Sequence, residues 1–275
     1  MHKFVLAISL GAVVFAAPSA VWADDDVALR IQEISKKIEA APKDASLRAW
    51  RADLHRFARD YDAALADCEA ARLLAPRDAQ VCTVCGRVLA DAGYPRAAKA
   101  VAETGLGAAP DDPELRMLHA RMLAKLGDAL GAWDDYGAVI HGVAAPSPDL
   151  FLERSDALAA AGSEHLDRAL GGLEEGIMRL GPVVTLELRA LELEEKLGRV
   201  DAALMRIDRL MADAKRTETW QVRKGDVLHR AGRAKEAAES YRAALAALEA
   251  LPPNVRGSKA MQDLEKQARA GLAAP

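Results

Sequence analysis

Six turn positions recur through the chain at nearly constant intervals. Arg59, Gly93, Gly127, Gly162, Gly198 and Gly232 are separated by 34, 34, 35, 36 and 34 residues. A period of this length means that one supersecondary unit is copied along the chain, and that each copy buries its apolar face against its neighbours. An alanine follows each turn: Ala64, Ala98, Ala132, Ala169, Ala203 and Ala237, five residues on in every copy but the fourth, where it is seven. Glycine supplies the left-handed conformation that ends a helix, and a small residue inside the next helix allows close approach. Aromatic residues make up only 4% of the chain, whereas strands favour aromatic and β-branched side chains. The period therefore predicts an all-α array of helix-turn-helix units.

Counting copies from Ala45, Ala79, Pro113, Pro148, Val184 and Glu218 aligns further positions. The eighth is small in five copies, as Ala52, Gly86, Ala120, Ser155 and Gly225, with Leu191 as the exception. Position 24 carries Tyr136 and Tyr241, position 27 carries Ala71, Gly105, Gly176 and Ala244, and position 32 carries Pro76 and Pro110. On these residues the chain resembles the tetratricopeptide repeat (TPR) family, over about residues 45 to 249. The resemblance implies a right-handed superhelical solenoid of about six helix-turn-helix repeats, at 45–78, 79–112, 113–147, 148–183, 184–217 and 218–249. Capping helices are expected at 24–44, where Leu29, Ile31, Ile34 and Ile38 form an apolar stripe, and at 250–275, which is more polar. Gly171 and Gly172 interrupt the fourth repeat's second helix with no packing position to account for them, which suggests a flexible joint or a change of pitch.

The ends constrain the compartment. "MHKFVLAISLGAVVFAAPSAVWADDD" has Lys3, then an apolar run from Phe4 to about Ala17, then Val21-Trp22-Ala23 before acidic Asp24. This is the pattern of a cleavable secretory signal over 1–23, cut after Ala23, for a periplasmic or secreted protein. The run falls short of the ~20 residues of a membrane span, and no second long apolar run follows it, so the mature chain is expected to have no span. Removing Lys3 takes the formal net charge from -4 to -5. The charges are interspersed, which argues against nucleic acid as a ligand.

The feature that most suggests chemistry is "CTVC", Cys82 and Cys85, in a chain of three cysteines. The repeat puts both on the second repeat's first helix, on a stripe facing inward, where cysteine behaves as a small hydrophobe. A redox C-x-x-C sits at a helix N-terminus after a strand; here Asp78 is the expected N-cap and the preceding segment is helix and turn. Haem attachment would need histidine where Gly86 stands, and zinc would need four ligands where Cys68 is the one further candidate. In an oxidising compartment a disulfide drawn from Cys68, Cys82 and Cys85 competes with three buried thiols. The sequence offers no catalytic residues, no cofactor and no metal: no histidine has metal-ligand spacing, and G-x-S-x-G and H-E-x-x-H are absent.

The resemblance also implies a binding face. Family positions 2, 5, 9, 12 and 13 commonly line a concave groove that holds a peptide or protein. Carried over, they give Asp53, Arg56 and Phe57; Gln80, Thr83, Arg87 and Asp91; Glu114, Met117, Arg121 and Lys125; then Asp156, Glu192, Glu195, Asp226, His229 and Arg230. Arg56, Arg87 and Arg121 recur about one repeat apart and could pair with carboxylates of a ligand; the plainer alternative is a solvated helix face. The family's carboxylate clamp relies on groove asparagines, and the sole asparagine, Asn254, lies outside the repeats. The expected function is a non-catalytic protein-interaction scaffold, with an assembly factor of envelope or secretion machinery as one alternative and a thiol-disulfide protein using Cys82 and Cys85 as another.

Overall fold

The computed structural model describes residues 21–212 and 214–274; residues 1–20 of the predicted signal segment lie outside them. Among the described residues the regular structure is helical, with no strand. The described residues divide into two compact units, one ending at Leu115 and the other starting at Arg116.

The first unit contains α1 (Val21–Ala40), α2 (Ala45–Phe57), α3 (Tyr61–Leu74), α4 (Ala79–Asp91), α5 (Pro95–Leu106) and the opening residues of α6 (Pro113–Leu126). The helices start where aspartate can cap them. Asp44, Asp78 and Asp112 each accept hydrogen bonds from the backbone N–H groups that open α2, α4 and α6, satisfying donors that have no intrahelical partner. The turns close by the Schellman pattern. Gly93 has φ 87°, and the N–H of Tyr94 reaches back to the Leu89 carbonyl at 2.8 Å, a bond that requires the left-handed residue between them. Arg59 stands at the same place after α2 with φ 59°, a conformation that costs a residue with a Cβ about 1 kcal/mol or more. α2 packs on α3 and α4, and α4 on α5, around Ala49, Ala52, Ala64, Ala71, Val81 and Val88. The small residues matter here: a Cβ on Gly105 would lie 2.8 Å from both the Cys82 Cβ and the Leu115 side chain. α1 covers the end of this unit with Ile34 and Ile38 against Leu54.

The second unit continues with α7 (Ala129–Gly142), α8 (Pro148–Ala159), α9 (Leu166–Leu180), α10 (Val184–Lys196), α11 (Val200–Ala212), α12 (Glu218–Arg230), α13 (Ala234–Glu249), the short α14 (Pro253–Arg256) and α15 (Lys259–Ala273). From α7 to α13 each helix packs on its successor, and α15 packs on α12 and α13. One core gathers Tyr136, Ile140, Phe151, Leu158, Leu173 and Leu193; another gathers Ile207, Val222, Leu228, Tyr241 and Ala268. The fourth repeat departs from the others. Gly162 is extended (φ 156°, ψ 164°) and a 3-10 turn, Ser163–His165, precedes α9, which accounts for the two extra residues before Ala169.

Packing also separates the two unexplained glycines. A Cβ on Gly172 would fall 2.7 Å from the Trp133 ring, whereas a Cβ on exposed Gly171 would meet nothing within 4 Å. Gly171→Ala should therefore raise stability by about 0.5–1 kcal/mol through helix propensity. Gly172→Ala should lower it by about 1–3 kcal/mol through overpacking. Urea unfolding followed by circular dichroism reads both, and equal effects would refute the distinction.

Candidate functional site

In the first unit the first helices α2 and α4 lie side by side, and a cleft of about 350 Å³ opens between them. Ser46, Ala49, Trp50 and Asp53 form one wall, and Gln80 and Val84 the other. Trp50 is 51% exposed although it is a large aromatic, and its indole is flanked by the Lys37 ammonium 5.5 Å from the ring centroid. An apolar ring with a polar edge, set beside an amide and a carboxylate, suits an amphipathic segment of another chain. Asp53 and Gln80 were legible from the repeat register. Trp50 and Val84 were not, because both occupy the sixth position, outside the register positions carried over; an unburied tryptophan beside that register is the signal that could have found them.

The arginines expected to meet a ligand are engaged within the chain. Arg56 donates to Asp53 at 2.8 Å and to Asp91 on α4 at 2.8 Å, and its guanidinium lies 4.4 Å from the Phe57 ring centroid. Arg87 donates to Glu114 at 2.9 Å. In the second unit Arg121 grips Glu153 with both arms, at 2.7 and 2.8 Å, while the Tyr136 hydroxyl donates to the same carboxylate at 2.9 Å. Burial alone would raise the Glu153 carboxyl, but the hydrogen bonds from Arg121 and Tyr136 outweigh it and hold it below the usual range. Farther along, Arg189 reaches Asp156 at 2.6 Å, and Arg223 and Arg230 converge on Glu195 at 2.8 and 2.6 Å. Asp226 accepts from Tyr241 and Gln267. The recurrence read as a row of ligand contacts is thus a ladder of ion pairs between helices one repeat apart, within arginine's reach.

Other expected lining residues differ in exposure. Thr83 is a correction to the polar stripe: it is 3% exposed, and its hydroxyl donates to its own helix at the Ala79 carbonyl, 2.9 Å away. That local bond hides its polarity and permits burial. Met117 is partly buried against the core. Gln80, Asp91, Arg121 and Lys125 face solvent.

Cys82 and Cys85 are fully buried, Cys68 is 3% exposed, and all three are free thiols. Burial pushes the Cys82 thiol up, and the neighbouring Cys85 adds to it. A nucleophilic cysteine needs the reverse, exposure and a stabilised thiolate. Among the described residues no group of three or more His, Cys, Asp or Glu side chains is placed to hold a metal ion, and no helix is long and apolar enough to cross a membrane.

Residues 58–122 match the family model of the tetratricopeptide repeat. Within that stretch the sequence is that of tetratricopeptide repeats. Solved structures of such proteins share its fold. The C-terminal part of a TPR repeat-containing protein from Cytophaga hutchinsonii superposes with a TM-score of 0.62 at 16% identity, over 89% of this chain and 96% of that one. A tetratricopeptide repeat protein from Parabacteroides merdae gives 0.55 at 14% identity, over 90% and 94%. PilW, a type IV pilus biogenesis factor, gives 0.57 at 19% identity, over 70% and 88%. A search of curated protein sequences finds no match.

Proposed function

We propose that this tetratricopeptide array is a non-catalytic scaffold, exported to the periplasm, which holds a segment of a protein partner against the first-helix face of its repeats. The observation that carries the reading is the α2–α4 cleft with its half-exposed Trp50. There the exposed aromatic surface of Trp50 stands beside the amide of Gln80 and the carboxylate of Asp53. The arginine ladder leaves this cleft bordered by charges that are already paired, so a partner would gain most from Trp50 and take its register from Gln80. The assembly-factor version of this function draws on the fold likeness to PilW. The thiol-disulfide alternative is disfavoured by the burial of Cys82 and Cys85.

The test is crosslinking capture from the envelope fraction with the wild-type chain, Trp50→Ala and Gln80→Arg. Both variants should lose the captured partner at least tenfold, since a buried interface tryptophan typically contributes 2 kcal/mol or more, while far-ultraviolet circular dichroism stays unchanged. Capture that survives both substitutions would move the site off this cleft. N-terminal sequencing of the captured bait should begin at Asp24; an intact Met1 in the cytoplasm would overturn export.

A further inference from the structure

The thiols that do no chemistry in the binding reading are arranged in an unexpected way. The two cysteines of C-T-V-C face different neighbours. Cys82 turns toward α5: a Cβ on Gly105 would lie 2.8 Å from the Cys82 Cβ, and the Cys82 thiol sits 3.6 Å from the Pro76 carbonyl. Cys85 turns toward α3, with its sulfur 3.7 Å from the carbonyl oxygen of Cys68 itself. Cys68 and Cys85 also line one cleft of about 500 Å³, between Leu65 and Leu73 of α3 and Leu89 of α4, with Arg72 and Glu69 at its polar edge; Cys82 does not line it. We propose that Cys68 and Cys85 form a cross-helix disulfide that staples α3 to α4, and that Cys82 stays a thiol.

Its chemistry is exchange with an external disulfide, either a small molecule or an oxidised dithiol protein. One cysteine, as thiolate, attacks the oxidant's S–S bond, forming a mixed disulfide and expelling one thiolate. The second cysteine then attacks the protein sulfur of that mixed disulfide and expels the other. The S–S bond of the oxidant and two protein S–H bonds break; one protein S–S bond and two S–H bonds on the leaving thiols form, so the protein loses two electrons and two protons. The hydrogen bond with Cys85, and then burial, raise the Cys68 thiol well above its ordinary value, so the pair reacts slowly once packed and oxidation belongs to folding or to local opening. When closed, the bond spans 17 residues (85 − 68) and removes chain entropy from the unfolded first unit.

The experiment refolds the reduced full chain in glutathione disulfide, blocks residual thiols with N-ethylmaleimide and maps peptides by tandem fragmentation. The expected result is loss of two of three thiols and a crosslink from Cys68 to Cys85, kept in Cys82→Ser and lost in Cys68→Ala and Cys85→Ala. Cleavage between Thr83 and Val84 in the fragment spectrum distinguishes Cys82 from Cys85 in wild type, so the result does not depend on any variant folding. A Cys82–Cys85 or Cys68–Cys82 bond, mixed glutathione adducts alone, or three unreacted thiols would each overturn the proposal.

Discussion

Arg206→Met should strongly destabilise the second unit, lowering its stability by about 3–5 kcal/mol. Arg206 on α11 is 2% exposed, and Glu187 and Glu194 on α10 are each 4% exposed. The guanidinium grips Glu194 with two arms, at 2.9 and 2.7 Å, and also donates to Glu187 and to Glu174 on α9. Burial works against its charge, but its hydrogen bonds to three carboxylates prevail and raise its pKa. Methionine fills much of the stem's volume while leaving two buried carboxylates with no cation between them. Arg209 is 3.9 Å from Glu187 but is largely exposed, outside the buried space between Glu187 and Glu194 that the Arg206 guanidinium fills.

Two further results separate charge from packing. If uncompensated charge causes the loss, acid should restore part of it. The buried carboxylates of the variant are penalised in their ionised form, so their contribution becomes more favourable as pH falls and they bind protons. Urea midpoints at about pH 7.5 and about pH 5 should converge toward wild type at the lower value; a deficit independent of pH would refute this cause. The triple change Arg206→Met, Glu187→Leu, Glu194→Leu should cost far less than Arg206→Met alone, because replacing a whole buried ion network by apolar groups is often neutral.

Features set by local backbone chemistry could be read from the sequence, and features set by distant partners could not. The turn after α4 was legible because a left-handed residue must sit at Gly93, and the absence of a Cβ marks it. Asp78 as N-cap was legible because its short carboxylate can accept from the N–H groups that open a helix. The arginine row was seen, but its partners were not: Arg56 could reach a ligand or Asp91, and a sequence does not record how far apart successive helices stand. Thr83 was misread because periodicity places a hydroxyl on the polar stripe without showing that it can satisfy itself on the Ala79 carbonyl. Arg206 drew no attention, since most helical arginines are solvated and three carboxylates from α9 and α10 converge on it only after folding. The C-terminal helix was read as a polar cap. Its inward face has Ala268 buried, with Leu264 and Leu272 partly buried against the core, too few large apolar residues to stand out as a stripe among the charges.

Tyr241→Ala should show that this cap is part of the core, with a loss of about 3–5 kcal/mol. The ring of Tyr241 on α13 is 2% exposed and is pressed between two glycines. A Cβ on Gly225 of α12 would fall 2.5 Å from it, and one on Gly271 of α15 would fall 2.3 Å from it. Its hydroxyl donates to Asp226 at 2.7 Å, and Gln267 of α15 donates to the other oxygen of that carboxylate at 2.8 Å. Burial, then the hydrogen bond to Asp226, pushes the phenol up, so it remains a donor throughout the physiological range. Removing the ring opens a void between α12 and α15 and unseats the aspartate's donor, so α15 should detach before the rest of the unit unfolds. Limited trypsin digestion should then cut at Arg256 or Lys259 many times faster than in wild type. Tyr241→Phe keeps the ring and loses one hydrogen bond, at a cost of about 1 kcal/mol. Gly271→Ala forces α15 outward and should cost about 1–3 kcal/mol, between the other two. Were Tyr241→Phe as damaging as Tyr241→Ala, the Asp226 hydrogen bond rather than the glycine-lined ring would be what holds the cap.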